Sequence, residues 1–190
     1  MLRDLVPSAR QIFFGNLLLV VCCAFYLAWW LLAFRPASPV RGFASGWLLL
    51  PAFAAGVAAA SLVAGGLWAS PAGGPVSGRA LVWGGAALYA ALLVLTRFCL
   101  HRPVTTELFL IVGWAVLAAS EVNALTGGGS LGRGAALVFA VLLAAVTALS
   151  LVCYVLYYRL SPAAGYLDGI LPLAGAALVM AGLDLTLLCR

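Results

Sequence analysis

A polytopic bundle of six transmembrane helices is the all-α fold this sequence predicts, and three observations predict it. Of the 190 residues, 66% are hydrophobic and 8% are charged, against about 45–50% and about 25% in a soluble globular domain. Ten arginines, five acids and one histidine cannot cover a globule of this length with polar surface, so apolar surface must face lipid. The apolar residues also fall into six stretches, each near the ~20 residues that cross a hydrocarbon core. Barrel strands would alternate apolar and polar residues over about ten positions, whereas these runs are continuous and rich in Leu and Ala.

The first span is expected over residues 13–34. It is too long for a secretory h-region and no small-x-small cleavage site follows, so it is expected to be retained. The second covers 46–68, carries Pro51, and has Gly56, Ala60 and Ala64 at a spacing of four, a stripe expected to let another helix approach closely. The third, 80–100, opens after Gly78-Arg79 and has Arg97 near its end, where the side chain can snorkel to headgroups. The fourth is 108–125, the fifth 134–158 and the sixth 169–188, with Pro172 one turn into the last. The connections are short and use helix-stop chemistry, as in Ser70-Pro71-Ala72-Gly73-Gly74-Pro75 and Gly127-Gly128-Gly129-Ser130. The whole chain, 1–190, reads as one integral membrane domain, multi-pass in the cell membrane, with both termini on one side. Arginines divide five against five between the two sides, so the orientation falls to Arg3 and Arg10 ahead of the first span, which favour a cytoplasmic N-terminus.

The net charge of +5 does not point to nucleic acid, because the arginines are scattered one or two per loop with no basic run among aromatics. Arg35, Arg102 and Arg159 each end an odd-numbered span and precede a proline. They are expected at one membrane face, as anchors on anionic lipid headgroups. Five cysteines without a Cys-x-x-Cys pair argue against a disulfide framework, although Cys99 and Cys153 are expected near one face. A single histidine leaves no metal cluster, and no motif implies a cofactor.

The same arginine–proline endings suggest an internal repeat. Phe34-Arg35-Pro36, His101-Arg102-Pro103 and Arg159-Leu160-Ser161-Pro162 follow the odd spans, and Gly-Arg openings at 78–79 and 132–133 lie 54 residues apart. The chain reads as three consecutive helical hairpins. Small residues spaced by seven in the even spans, Gly113/Ser120 and Gly175/Gly182, complete a pattern that resembles the HdeD-like family of small six-span bacterial membrane proteins. The second span departs from it, since Val63 stands seven residues after Gly56. That resemblance implies an acid-stress-associated membrane protein and carries over no functional residue. The substrate-binding subunits of energy-coupling-factor vitamin transporters are similar in length and span count.

Among the polar residues, the fourth span is the most informative. Glu107, Trp114 and Glu121 are spaced by seven and share one stripe of an α-helix, beside a Gly113/Ser120 groove expected to receive a neighbouring helix. Glu107 reads as an acid at a helix N-terminus. Glu121 lies near a C-terminal end, where the helix dipole opposes it. It is therefore either bridged to Arg79 or Arg133 from an adjoining span, or an acid that binds a proton or ligand. Asn123 lies two positions on. Asp168 sits at the start of the sixth span and Asp184 near its end, repeating the two cases. His101 reads as a solvated loop residue between Arg97 and Arg102, with a proton-sensing role as the alternative. Aromatics gather on the odd-loop side, among them Trp29, Trp30, Tyr157, Tyr158 and Tyr166, as an interfacial belt or the wall of a cavity.

Three functional classes fit. The first is a transporter, channel or ligand-binding subunit with a small-molecule cavity between helices, using Glu121, Asn123, Asp168 and Trp114. The second is an HdeD-like structural or stress protein without a substrate, and both leave room for a homo-oligomer or a partner membrane subunit. A lipid-modifying enzyme comes last, since only the Arg97/His101/Glu107 neighbourhood offers an acid–base pair.

Overall fold

The computed structural model describes residues 5–35, 43–70, 74–99 and 106–189. Among these the ordered elements are helical throughout: α1 (Pro7–Ala33), α2 (Phe43–Gly46), α3 (Leu49–Ala69), α4 (Gly78–Phe98), α5 (Thr106–Gly127), α6 (Arg133–Leu156), a 3-10 turn (Tyr157–Arg159), α7 (Pro162–Asp168) and α8 (Ile170–Leu188). Six helical segments are long and apolar enough to cross a membrane, with α7 and α8 together forming the last. The protein is an all-α, multi-pass membrane bundle. Its outer surface agrees, since Phe53, Trp68, Trp83 and Leu178 are more than two-thirds exposed, a display that only lipid makes favourable.

Most spans form where the sequence places them, but the first begins at Pro7, six residues before the expected 13. Proline at the first helical position has its φ preset for the helix and loses no intrahelical bond there. The added turns bury Ser8, Ala9 and Ile12 and leave Arg10 and Gln11 exposed. At its far end α5 runs to Gly127 and stops in a glycine turn. Gly129 takes φ +72°, and the Leu131 N–H donates to the Leu125 carbonyl at 2.9 Å, the closing bond of a left-handed C-cap.

Five of the long helices form a closed ring. α1 packs on α3, α3 on α5, α5 on α6, α6 on α8, and α8 returns to α1, while α4 lies outside the ring against α5. Consecutive long helices do pair as hairpins, α1 with α3, α4 with α5 and α6 with α8, but the hairpins are not equivalent units, because the α1/α8 contact joins the first to the last. A contiguous core fills one half of the ring: Ala9, Ile12 and Phe13 meet Ala118, Val122 and Leu125 of α5, Phe139 and Leu143 of α6, and Met180, Leu183 and Leu187 of α8. That shared core brings the N-terminal end of α1 and the C-terminal end of α8 to the same end of the bundle, called here the termini end.

The tight seam between α1 and α3 differs from the expected one. The buried face of α3 is Ala52, Ala59, Val63 and Gly66, whereas Ala60 and Ala64 of the expected stripe are exposed. Of that stripe Gly56 alone approaches α1, where a Cβ would lie 3.3 Å from Cys22 Sγ. The closest backbone approach is at Gly66, where a Cβ would stand 2.8 Å from the Ser8 carbonyl oxygen. Gly15 sits equally tightly from the other side, facing Val63 and the Ala59 carbonyl. The sequence shows small residues on several faces of this helix, and packing selects one of them. The Gly113 groove is likewise not a contact: Gly113 is exposed and a side chain there would meet nothing within 4 Å. α5 instead receives α4 through Val116 against Gly85 and Tyr89 edge-on to Phe109, centroids 5.8 Å apart.

Candidate functional site

Inside the ring, three polar side chains from three helices share the top of the core. Asn16 of α1 and Glu121 of α5 are wholly enclosed at 0% exposure, and Asp184 of α8 is 6% exposed. The Asn16 Nδ2 donates to Asp184 Oδ1 at 3.2 Å. Glu121 extends across the core beside the Asn16 amide and within electrostatic reach of Asp184. Both Glu121 carboxyl oxygens and the Asn16 Oδ1 lack a hydrogen-bond partner among the described residues. Buried carboxyls and amides are nearly always paired, and an ionised carboxylate in apolar surroundings without a counter-charge costs several kcal/mol. These oxygens form a cluster of buried acceptors.

The expected arginine bridge is not formed. Arg79 and Arg133 both lie exposed at the starts of α4 and α6, and neither pairs with Glu121 among the described residues. α4 sits outside the ring, against α5, with Arg79 exposed at its start. Phe139 and Leu143 of α6 belong to the adjoining apolar core, and Val63 of α3 packs against Gly15, the residue before Asn16.

Asn16 is the member that the sequence reading passes over. Its signal is an amide in the first apolar run, which a search confined to charged residues does not catch. Asp184, near the end of the last span, has Asn16 as its hydrogen-bond partner.

Asn123, two residues from Glu121, faces elsewhere. Its Nδ2 donates to the Val76 carbonyl at 2.8 Å and its Oδ1 accepts from the Val76 N–H at 2.9 Å, so both ends of the amide are used in holding the segment before α4. Gly74 is pressed against the same amide and has no room for a side chain. Trp114 packs at the edge of the core two turns from Glu121, and its buried indole N–H has no partner among the described residues.

Asp168 is remote from these groups. It lies at the junction of α7 and α8, sixteen residues or about 24 Å of helix from Asp184, and its carboxyl adjoins the Cys153 thiol. Glu121, Asn123 and Asp168 thus do not line one cavity. Cys153 is buried and Cys99 exposed, so the two thiols are in different surroundings.

The end of the bundle near Asp168 carries an aromatic cleft of about 260 Å³, walled by Trp30, Phe34, Tyr157 and Tyr166. Trp30 stacks on Phe34 with centroids 4.3 Å apart. Its Nε1 donates to the Tyr166 carbonyl at 3.1 Å, and the Tyr166 hydroxyl donates to the Leu31 carbonyl at 3.2 Å. Arg35 and Arg159 are exposed beside this cleft, each adjoining one of its lining residues in the chain. Arg102 and His101 lie outside the described residues.

Comparison with known proteins gives no match: no family model, no curated protein and no solved structure resembles the chain.

Proposed function

We propose that this protein is a small multi-pass membrane transporter or channel-like subunit in which Glu121, with Asp184 and Asn16, takes up positive charge in transit. The observation that supports this reading is the wholly buried Glu121 carboxyl, without a counter-charge among the described residues and beside the Asn16 amide and a second buried acid. Intramembrane acids are costly and concentrate where protons or ions move. Arg35 and Arg159, beside the aromatic cleft, and Arg102 act in this reading as anchors for anionic headgroups, with the bilayer as the main partner.

The test uses purified protein in liposomes that enclose a pH-sensitive dye, with an imposed proton gradient and, separately, an imposed sodium gradient. Wild type should relax the proton gradient, or exchange sodium for protons, faster than protein-free vesicles. Glu121→Gln, nearly the same shape, should lose that activity while keeping its melting temperature within a few degrees. Equal rates in the variant would overturn the proposal. A variant that loses stability instead, with wild-type vesicles no leakier than empty ones, would favour a substrate-free structural role such as the HdeD-like resemblance implies.

A further inference from the structure

A second cleft, of about 110 Å³, opens at the termini end between the start of α1 and the ends of α3 and α5, and three of its lining residues are Ser8, Ser70 and Ser130. Its most deeply buried apolar residues are Ala9, Ile12 and Leu125, at 2%, 1% and 2% exposure, of which Ile12 and Leu125 are the two larger. Each stands four residues, one helical turn of about 5.4 Å, from a member of the buried cluster: Ile12 precedes Asn16 on α1 and Leu125 follows Glu121 on α5. On both helices the cleft and the cluster are therefore successive levels of one stripe, and the cleft opens along the interior of the five-helix ring. In the opposite direction the interior is apolar, with Leu19 and Val20 of α1, Trp114 and Ala118 of α5 and Met180 of α8 packed in or against the core. The cleft has room for a few waters at about 30 Å³ each, and serine hydroxyls can both donate to them and accept from them.

Resting on the reading of Glu121 as a charge-accepting acid, we infer that this serine-lined cleft is the mouth of a one-sided access path to Glu121 from the termini end, closed by the Ile12/Leu125 pair. The charge it passes is a hydrated proton or a small cation. Asp184 is the titratable group within electrostatic reach of Glu121 and α1 contributes the neutral Asn16; Phe139 and Leu143 of α6 belong to the adjoining apolar core.

The test measures how fast a water-soluble carbodiimide with an added amine couples to Glu121 in nanodiscs, identified by mass spectrometry after digestion. Leu125→Ala should open the floor and raise the coupling rate several-fold. Ser130→Trp, at the mouth and outside the core, should lower it, which keeps the test decisive if the floor variant unfolds. Leu19→Ala, on the opposite side of the cluster, should leave it unchanged. A rate insensitive to both Leu125→Ala and Ser130→Trp, or raised as much by Leu19→Ala, would overturn the path. Because coupling is read without any gradient, the outcomes separate: mouth-dependent coupling without charge movement in liposomes retains the path and removes the transport reading, and charge movement without mouth dependence does the reverse.

Discussion

The two ends of the bundle treat polar groups in opposite ways. At the aromatic end, the Trp30 indole N–H and the Tyr166 hydroxyl each have a backbone carbonyl acceptor, and the polar atoms tie α1 to α7. At the termini end, Glu121 is more deeply buried than either aromatic, yet both its oxygens lack a partner among the described residues. Buried polarity in a membrane bundle can stabilise helix contacts when its partners are supplied. Where they are withheld, the same burial opposes stability, and it persists only if something else requires it. The contrast separates two acids of similar appearance in the sequence: Asp168 lies beside a thiol at a helix junction, and Glu121 faces the interior of the ring.

The comparison breaks most severely at the seam that closes the termini end. Gly66→Leu would drive a side chain into the Ser8 carbonyl and the Ile12 backbone, atoms that cannot swing aside. We expect a loss of about 3 kcal/mol, the upper part of the overpacking range, read as a sharp fall in melting temperature in detergent; a neutral result would mean that α1 and α3 are not in contact there. Asn123→Ala removes two hydrogen bonds to Val76 and should cost about 1–2 kcal/mol. Charge movement should be untouched by it, which distinguishes Asn123 from Glu121 two residues away; equal loss of transport in both variants would erase that distinction. Trp30→Phe keeps an aromatic wall and removes one donor, so the expected cost is about 1 kcal/mol, detected by thermal unfolding. The smallest effect belongs to Ala60→Leu. The exposed position should accept the larger side chain within about 0.5 kcal/mol, and a marked destabilisation would put that face of α3 back among the packing surfaces.

Much of the architecture is legible in the sequence because the bilayer imposes it. Span length, the scarcity of ionisable residues inside the spans and the glycine and proline stops are each set by one helix and its solvent. The stripe through Trp114 and Glu121 is equally local, and both residues do face the protein side. What the sequence does not carry is which helices are neighbours. α1 and α8 are apolar on nearly every face, so no periodicity marks the side that meets protein. The Asn16–Asp184 bond across 168 positions and the choice of Val63 over Ala60 as the packed residue follow from that non-local arrangement. The arginine bridge expected from side and spacing forms with neither candidate: Arg79 lies on α4, outside the ring, and Arg133 stands exposed at the start of α6.

The ring also sets an order of events during synthesis. Asn16 belongs to the first helix to be made, and its acceptor Asp184 to the last, 168 residues later. At a translation rate of about 5–20 residues per second, the amide waits for roughly 8–35 s before its partner has been polymerised. Once α3 has been made, α1 has it as a neighbour but still lacks the helix that closes its other side. Any factor that holds newly inserted helices together in the membrane would find its substrate in this half-built ring, and the arrival of α8 would end the need for it.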